Sequence, residues 1–416
     1  MDEKTTGSWL IHHTQRLQRV ETQRGYERIY KAGKAGILLS AISADKESEI
    51  SRERVEALAA AANINIVFEL PELLRTLKEL DVIDESANAV EVLGVTTKST
   101  LTHAAKIFEA ANPTDSERAV LEIAEAASTA PIKRSEALEI GDRLRLAAAV
   151  AAKAIDDSSD IGFVDSESIS AGEQLLFNGN LFRRDNSAKI KRVLDSLGPG
   201  EQRALQDATS QLQARGCIEV VEVEKMLGGP LFAKVMAVGL FDLNVVSNSS
   251  EETGFVTLPS AFGKYSSSFV DDAFDLAKAF VSSITYGMTK SSSDRGKIEL
   301  VAALLRTLIR GEPIGPVRAI AEDYKILELK GVVRVAQGSK KGRTGPMMWL
   351  LKREVGELAL QVLLQGDASE HSLEALPTAA VTRYRGPEEN QQRARKKQLK
   401  NSPTATNDIL RVLRTS

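Results

Sequence analysis

The chain has 416 residues, of which 43% are hydrophobic and 27% charged, the balance of a globular protein long enough for two to four domains. A single cysteine, Cys217, excludes intrachain disulfides and thiolate metal clusters and fits a reducing compartment, while an aromatic content of only 5% with abundant alanine and leucine points to a mainly helical protein. The formal net charge of −3 hides an asymmetry: Lys325 to Arg353 carries +7, Val381 to Ser416 carries +6, and the remainder stands at −16, which favours one dedicated surface for an anionic partner.

Residues up to Lys34 mix arginine and glutamate and read as a helical arm, in which His12 and His13 form an isolated, exposed pair. Ser51 is the expected N-cap of a helix over Arg52 to Ala62, and Pro71 suits the first turn of the next, whose Leu73, Leu77 and Leu80 share a face. Asp81-Val-Ile and Ala89 to Leu93 then read as two strands about a polar tip. Thr100 to Ile155 reads as purely helical, with a capping box at Thr114 and Glu117, a stop at Pro131 and a new start at Ser135. Asp156 to Ser170, rich in Asp and Ser, is the expected interdomain linker, and Asn178-Gly179 suggests a tight hairpin within Gln174 to Arg183.

The order of helices followed by a hairpin returns from Gly200. Helices are expected over Glu201 to Ala214, Glu219 to Leu227 and Pro230 to Phe241, then strands at Leu243 to Val246 and Phe255 to Leu258. Because Pro230 to Phe241 is apolar on nearly every side, it should be buried against another domain or chain. Val270, Phe274, Ala277, Val281 and Ile284 step by 4, 3, 4 and 3, the seam of a helix that packs on another helix.

A third occurrence fills Ile298 to Lys352. Ile298, Val301, Leu305 and Ile309 form one amphipathic face, and Val317, Ile320, Tyr324 and Leu327 form that of a last helix with Arg318, Glu322, Lys325 and Glu328 outward. Val333 and Val335 before a basic, glycine-rich tip, and Met347, Trp349 and Leu351 after it, read as a long hairpin. Lys325, Lys330, Arg334, Lys340, Lys341, Arg343, Lys352 and Arg353 oppose a single acidic residue, Glu328, in this stretch. Lysines and arginines on a tip whose glycines let the main chain approach closely are the footprint of phosphate contact. Past Gly366 periodicity is lost, and a basic tail with Arg393, Arg395, Lys396 and Lys397 follows, ending in a short apolar run of Ile409, Leu410, Val412 and Leu413.

This repeated order, near Tyr26 to Val95, Glu201 to Leu258 and Ile298 to Lys352, resembles the winged-helix superfamily, a helix-turn-helix variant. The resemblance is architectural and rests on no residue motif. It implies tandem winged-helix domains joined by helical segments, a mainly α protein with small β-hairpins. It further implies that a last helix enters the DNA major groove while a wing touches the backbone, although many members bind only protein. The expected division is 1–99, 100–160, 161–258, 259–365 and 366–416. Arg318, through its capacity to pair with guanine, is the expected base reader.

No P-loop, nucleophile elbow, dinucleotide fingerprint or HExxH motif occurs, and His103 and His371 lack Cys or His neighbours, so neither enzyme activity, cofactor nor metal is expected. Without an apolar leader or a run of about 18 apolar residues, a cytoplasmic protein that does not span a membrane is expected. The leading expectation is a non-enzymatic protein that binds double-stranded DNA, a transcriptional regulator or a subunit of a DNA-associated complex, itself an oligomer. The alternative is a protein-interaction scaffold whose winged helices contact protein only.

Overall fold

A computed structural model describes residues 1–366 apart from 21–23, 44–48, 87, 96, 171–172, 248–251, 266–270, 290–299, 325–326, 329 and 341. The chain is mainly helical, with small antiparallel sheets, and it divides into two units, one ending at Gly179 and one beginning at Asn180.

In the first unit, α1 (Glu3–Leu17) starts at Asp2, whose carboxylate accepts from the Thr5 amide at 2.9 Å. It packs on α2 (Glu27–Ser43) and α5 (Thr97–Ala110) at backbone distance. A Cβ on Gly7 would lie 2.1 Å from the Leu101 carbonyl oxygen, and one on Gly33 would lie 1.9 Å from Thr14 Oγ1. Only hydrogen fits at these crossings, so both glycines are packing residues. The arm expected at the N-terminus is therefore a core helix. His12 and His13 are buried, not exposed: His13 stacks on Phe163 at 3.9 Å, and Trp9, which donates to Glu125 at 2.7 Å, meets both imidazoles. Ten of the fifteen α1 residues are buried, a pattern that the interspersed polar residues conceal.

Around this bundle lie two modules of one topology. The first runs α2, β1 (Glu49–Ser51), α3 (Arg52–Ala61), α4 (Leu70–Glu79), β2 (Ile83–Glu85) and β3 (Ala89–Val92), with sheet order β1-β3-β2. Ser51 caps α3 by accepting from the Arg54 amide, and Pro71 occupies the first turn of α4, as expected. The second runs α6 (Asp115–Thr129), β4 (Ile132–Lys133), α7 (Arg134–Arg143), α8 (Ala148–Ile161), β5 (Asp165–Ser170) and β6 (Glu173–Phe177), with order β4-β6-β5. Here the sequence reading needs two corrections. Thr100 to Ile155 is not purely helical, because β4 pairs Ile132 with Leu176. Asp156 to Ser170 is no linker: it completes α8, and its Ser-rich half is a strand whose hairpin partner is β6, with Asn178-Gly179 lying beyond the ladder. Two-residue β4 and a polar β5 give almost no period-two signal.

Glu117 fastens this module to the bundle. Its fully buried carboxylate accepts from the amides of Thr114, at 2.9 Å, and Arg28, at 2.9 Å, and so caps α6 and α2 together.

In the second unit, α9 (Arg184–Asp195) precedes a third module: α10 (Pro199–Arg215), β7 (Ile218–Glu219), α11 (Val220–Leu227), α12 (Gly229–Val238), β8 (Asp242–Ser247) and β9 (Glu252–Thr257), ordered β7-β9-β8. The apolar α12 is covered within its own chain by α9 and α11, with Leu231, Val235 and Met236 buried. After α13 (Pro259–Gly263) comes α14 (Asp271–Thr289), whose Ala277, Val281 and Ile284 are buried as the seam required, while Val270 and the Phe274 side chain of that seam lie outside the described residues. Phe280, Ser282 and Ser283 are buried too, since α14 is surrounded. Its Lys278 meets the buried Asp242 at 2.7 Å. Cys217 packs beneath it, and burial pushes the thiol up to about 12. The fourth module consists of α15 (Val301–Ile309), a lone bridge from Ile314 to Met348, α16 (Arg318–Asp323), β10 (Val333–Lys340) and β11 (Arg343–Leu350). Finally α17 (Arg353–Gln365) packs against α14 and α15.

Candidate nucleic-acid interface

The hairpin of the fourth module pairs eight residues per strand, from Val333 with Leu350 to Lys340 with Arg343. Directly opposed residues share a face and the face alternates along each strand. Arg334, Gly338 and Lys340 therefore share one face with Trp349, Met347, Gly345 and Arg343. Arg334 lies over the Trp349 ring at 5.9 Å. Gly338 makes the arrangement possible: a Cβ there would approach Met347 Sδ to 2.5 Å and the Trp349 ring to 3.6 Å. Gly342, with φ of +75°, takes the left-handed conformation that turns the tip. Lys340 and Arg343 are exposed beside it, and the Lys340 ammonium donates to the Pro313 carbonyl at 3.1 Å.

The remaining basic residues expected to contact DNA divide by position. Arg318 is exposed at the first residue of α16. That helix ends at Asp323, with Tyr324 at φ −111°, and Leu327 and Glu328 form a separate turn, so the single last helix read from Val317 to Leu327 is broken. Arg318 thus opens a helix of six residues, shorter than the one expected. Lys330 is a second correction. It is buried, and desolvation lowers its pKa to about 8 despite the attraction of Asp275, so its ammonium is not presented at the surface where a phosphate could meet it. Lys352 is half-buried at the N-cap of α17, and Arg353 is exposed with Glu357 at 2.8 Å, both at the base of the hairpin. Lys325, Lys341, Arg393, Arg395, Lys396 and Lys397 lie outside the described residues.

In the first two modules several basic side chains are answered locally. In the first module Arg52, first in α3, pairs with Glu85 of the hairpin, Lys78 with Asp84 at 3.1 Å, Lys31 with Glu72 at 2.7 Å and Lys34 with Glu69 at 2.6 Å. The Lys78 and Lys31 partners hold the Asp84 and Glu72 carboxyls below their ordinary range. In the second module Arg134, first in α7, donates to Asp156 at 2.6 Å and Gln174 at 2.9 Å.

Two features escaped the sequence reading. One is the Arg334 and Trp349 pair, recoverable by counting back from the tip. The other is the turn between α3 and α4, where Ile66, Val67 and Phe68 stand 44%, 67% and 79% exposed. Asn65 fixes that turn by accepting from the Val67 and Phe68 amides at 2.9 and 3.0 Å.

Among the described residues no cluster of His, Cys, Asp and Glu could hold a metal, and no helix is long and apolar enough to cross a membrane. No protein-family model and no curated protein sequence matches the chain.

Proposed function

We propose that the chain is a tandem array of four winged-helix domains and that the fourth binds duplex DNA without catalysing a reaction. Each module sets the strand before its second helix against the last strand of a terminal hairpin, an order that supports this reading in all four. The observation that carries the function is the concentration of exposed Arg334, Lys340 and Arg343 on one hairpin, with Arg318 exposed on the same module. Residues 301–350 hold nine basic and four acidic residues, whereas 115–177 hold six and thirteen. Duplex DNA of arbitrary sequence, titrated by fluorescence anisotropy at several salt concentrations, tests it. Affinity should fall linearly on logarithmic axes, with a slope of about −0.9 per phosphate neutralised. Absence of binding at low salt would overturn the proposal.

A second reading, an interaction scaffold, is favoured by Ile66, Val67 and Phe68, because a rigid turn presenting three apolar side chains to water suits a protein contact. Under that reading alone, duplex binding is absent at every salt concentration.

A further inference from the structure

The tip of the hairpin supplies charge, but charge does not account for a tryptophan on the same face. Tryptophan carries the largest apolar side chain and is ordinarily withdrawn from water. The other tryptophan of this chain obeys that rule: Trp9 is fully buried, with its indole N–H held by Glu125 at 2.7 Å. Trp349 is only half-buried. Its ring lies over Gly338, the residue opposite Gly345, with buried Met347 supporting it and the exposed Arg334 guanidinium at 5.9 Å. Farther along, Pro316 lies 3.3 Å from where a Cβ of Gly345 would stand, so apolar surface continues from the ring toward Lys340 and Arg343.

We infer that this face is a binding site for single-stranded nucleic acid, in which an unpaired base stacks on Trp349 beside Arg334 while the phosphates that follow it run to Lys340 and Arg343. The inference rests on the nucleic-acid reading of the same module and narrows its ligand. In a duplex each base face is covered by its neighbours, so only an unpaired base offers a π surface to an indole. Arg334 adds a planar cation that packs against a base and bears charge at once. From Trp349 to Arg343 is six residues of strand, a reach of about 20 Å, which separates stacking and charge by several nucleotides.

The protein carries its own reporter. Trp9 is sealed in the core of the first unit, so a change of tryptophan emission on adding a ligand arises at Trp349. Short oligothymidylate and a duplex of equal length are each titrated into the full chain at low salt, with emission and anisotropy read together. The expected result is saturable quenching by oligothymidylate, with Trp349→Ala weakening it roughly 5- to 100-fold, Trp349→Phe weakening it less, and duplex affinity moving by less than about 3-fold. Arg334→Ala should weaken oligothymidylate binding in the same sense. Duplex binding without oligothymidylate quenching overturns this inference and leaves the duplex proposal standing, whereas absence of binding to either ligand overturns both. Equal loss of both ligands in Trp349→Ala and Trp349→Phe makes the ring a structural cross-strand partner of Arg334 and also overturns it.

Discussion

The second and fourth modules share an order of helices and terminal hairpin, with a lone bridge in the fourth where the second has β4, and differ most where their second helices begin. In residues 115–177 the first residue of that helix, Arg134, is bound to Asp156 and Gln174 of its own module. In residues 301–350 the corresponding Arg318 is exposed with no partner among the described residues. The hairpins diverge in the same direction, since β5 and β6 carry Asp165, Glu167 and Glu173 while β10 and β11 carry Arg334, Lys340 and Arg343. Topology follows from buried apolar residues and turn positions, which both modules supply. Surface charge is independent of it, so one scaffold can repel a phosphate backbone or attract it.

The contrast requires that the acidic excess of the second module be mostly surface, and Glu117 is the exception that tests this. Glu117→Ala should cost about 3–5 kcal/mol in urea unfolding of the first unit, because the buried amides of Arg28 and Thr114 lose their acceptor. A loss below about 1 kcal/mol would mean that water replaces the carboxylate and that Glu117 is not structural.

Acid should separate the two units next. Burial lowers the pKa of His12 to about 3 and that of His13 well below its ordinary value, so both fold as neutral imidazoles. For a base whose folded pKa is depressed, the stability is fully present above the unfolded value of about 6.5 and declines as pH falls toward the folded one. At pH 5 the His12 penalty alone is about 2 kcal/mol. Among the described residues the second unit holds no histidine, so a pH series of thermal melts should show the first unit falling first between pH 6.5 and 4. His12→Phe should blunt that decline, and coincident loss of both units would break the comparison.

Much of the fourth module was legible in the sequence because its signals are strong. Val333, Met347 and Trp349 alternate about a glycine-rich tip, and the strands form over nearly those residues. The second module was not, although it has the same order. Its first strand is two residues long and β5 is Ser-rich, so neither registered, and the strand read within Gln174 to Arg183 pairs back with β5 instead of across Asn178-Gly179. Lys330 failed for a different reason. Charge in a sequence reads as surface, whereas this lysine is buried and feels the charge of Asp275, 55 positions away, which no local pattern encodes. His12 and His13 failed likewise, since stacking with Phe163 is a long-range fact.

Charge removal at the tip should act on binding and spare the fold. Replacing Lys340, Lys341 and Arg343 with alanine should flatten the slope of log affinity against log salt by roughly 2 to 3, for every duplex sequence alike. The folded state should change by less than about 0.5 kcal/mol. Charge reversal of Glu167 and Glu173 in the second module should leave duplex affinity within about 3-fold if that hairpin takes no part. An unaltered slope in the triple variant would remove the tip from the interface.

Arg318→Ala should have the smallest effect, and it decides what kind of contact the second helix makes. At the start of α16, Arg318 is exposed, and its guanidinium suits a phosphate. One phosphate contact is worth about 0.9 in salt slope, so the variant should bind somewhat more weakly with a slope shallower by about one. Since a phosphate carries no sequence information, the ranking among duplexes should not move. A changed ranking with an unchanged slope would instead make Arg318 a base reader, as the unbroken last helix implied. That outcome would require α16 to enter the major groove, with the break at Tyr324 marking the end of the reading helix.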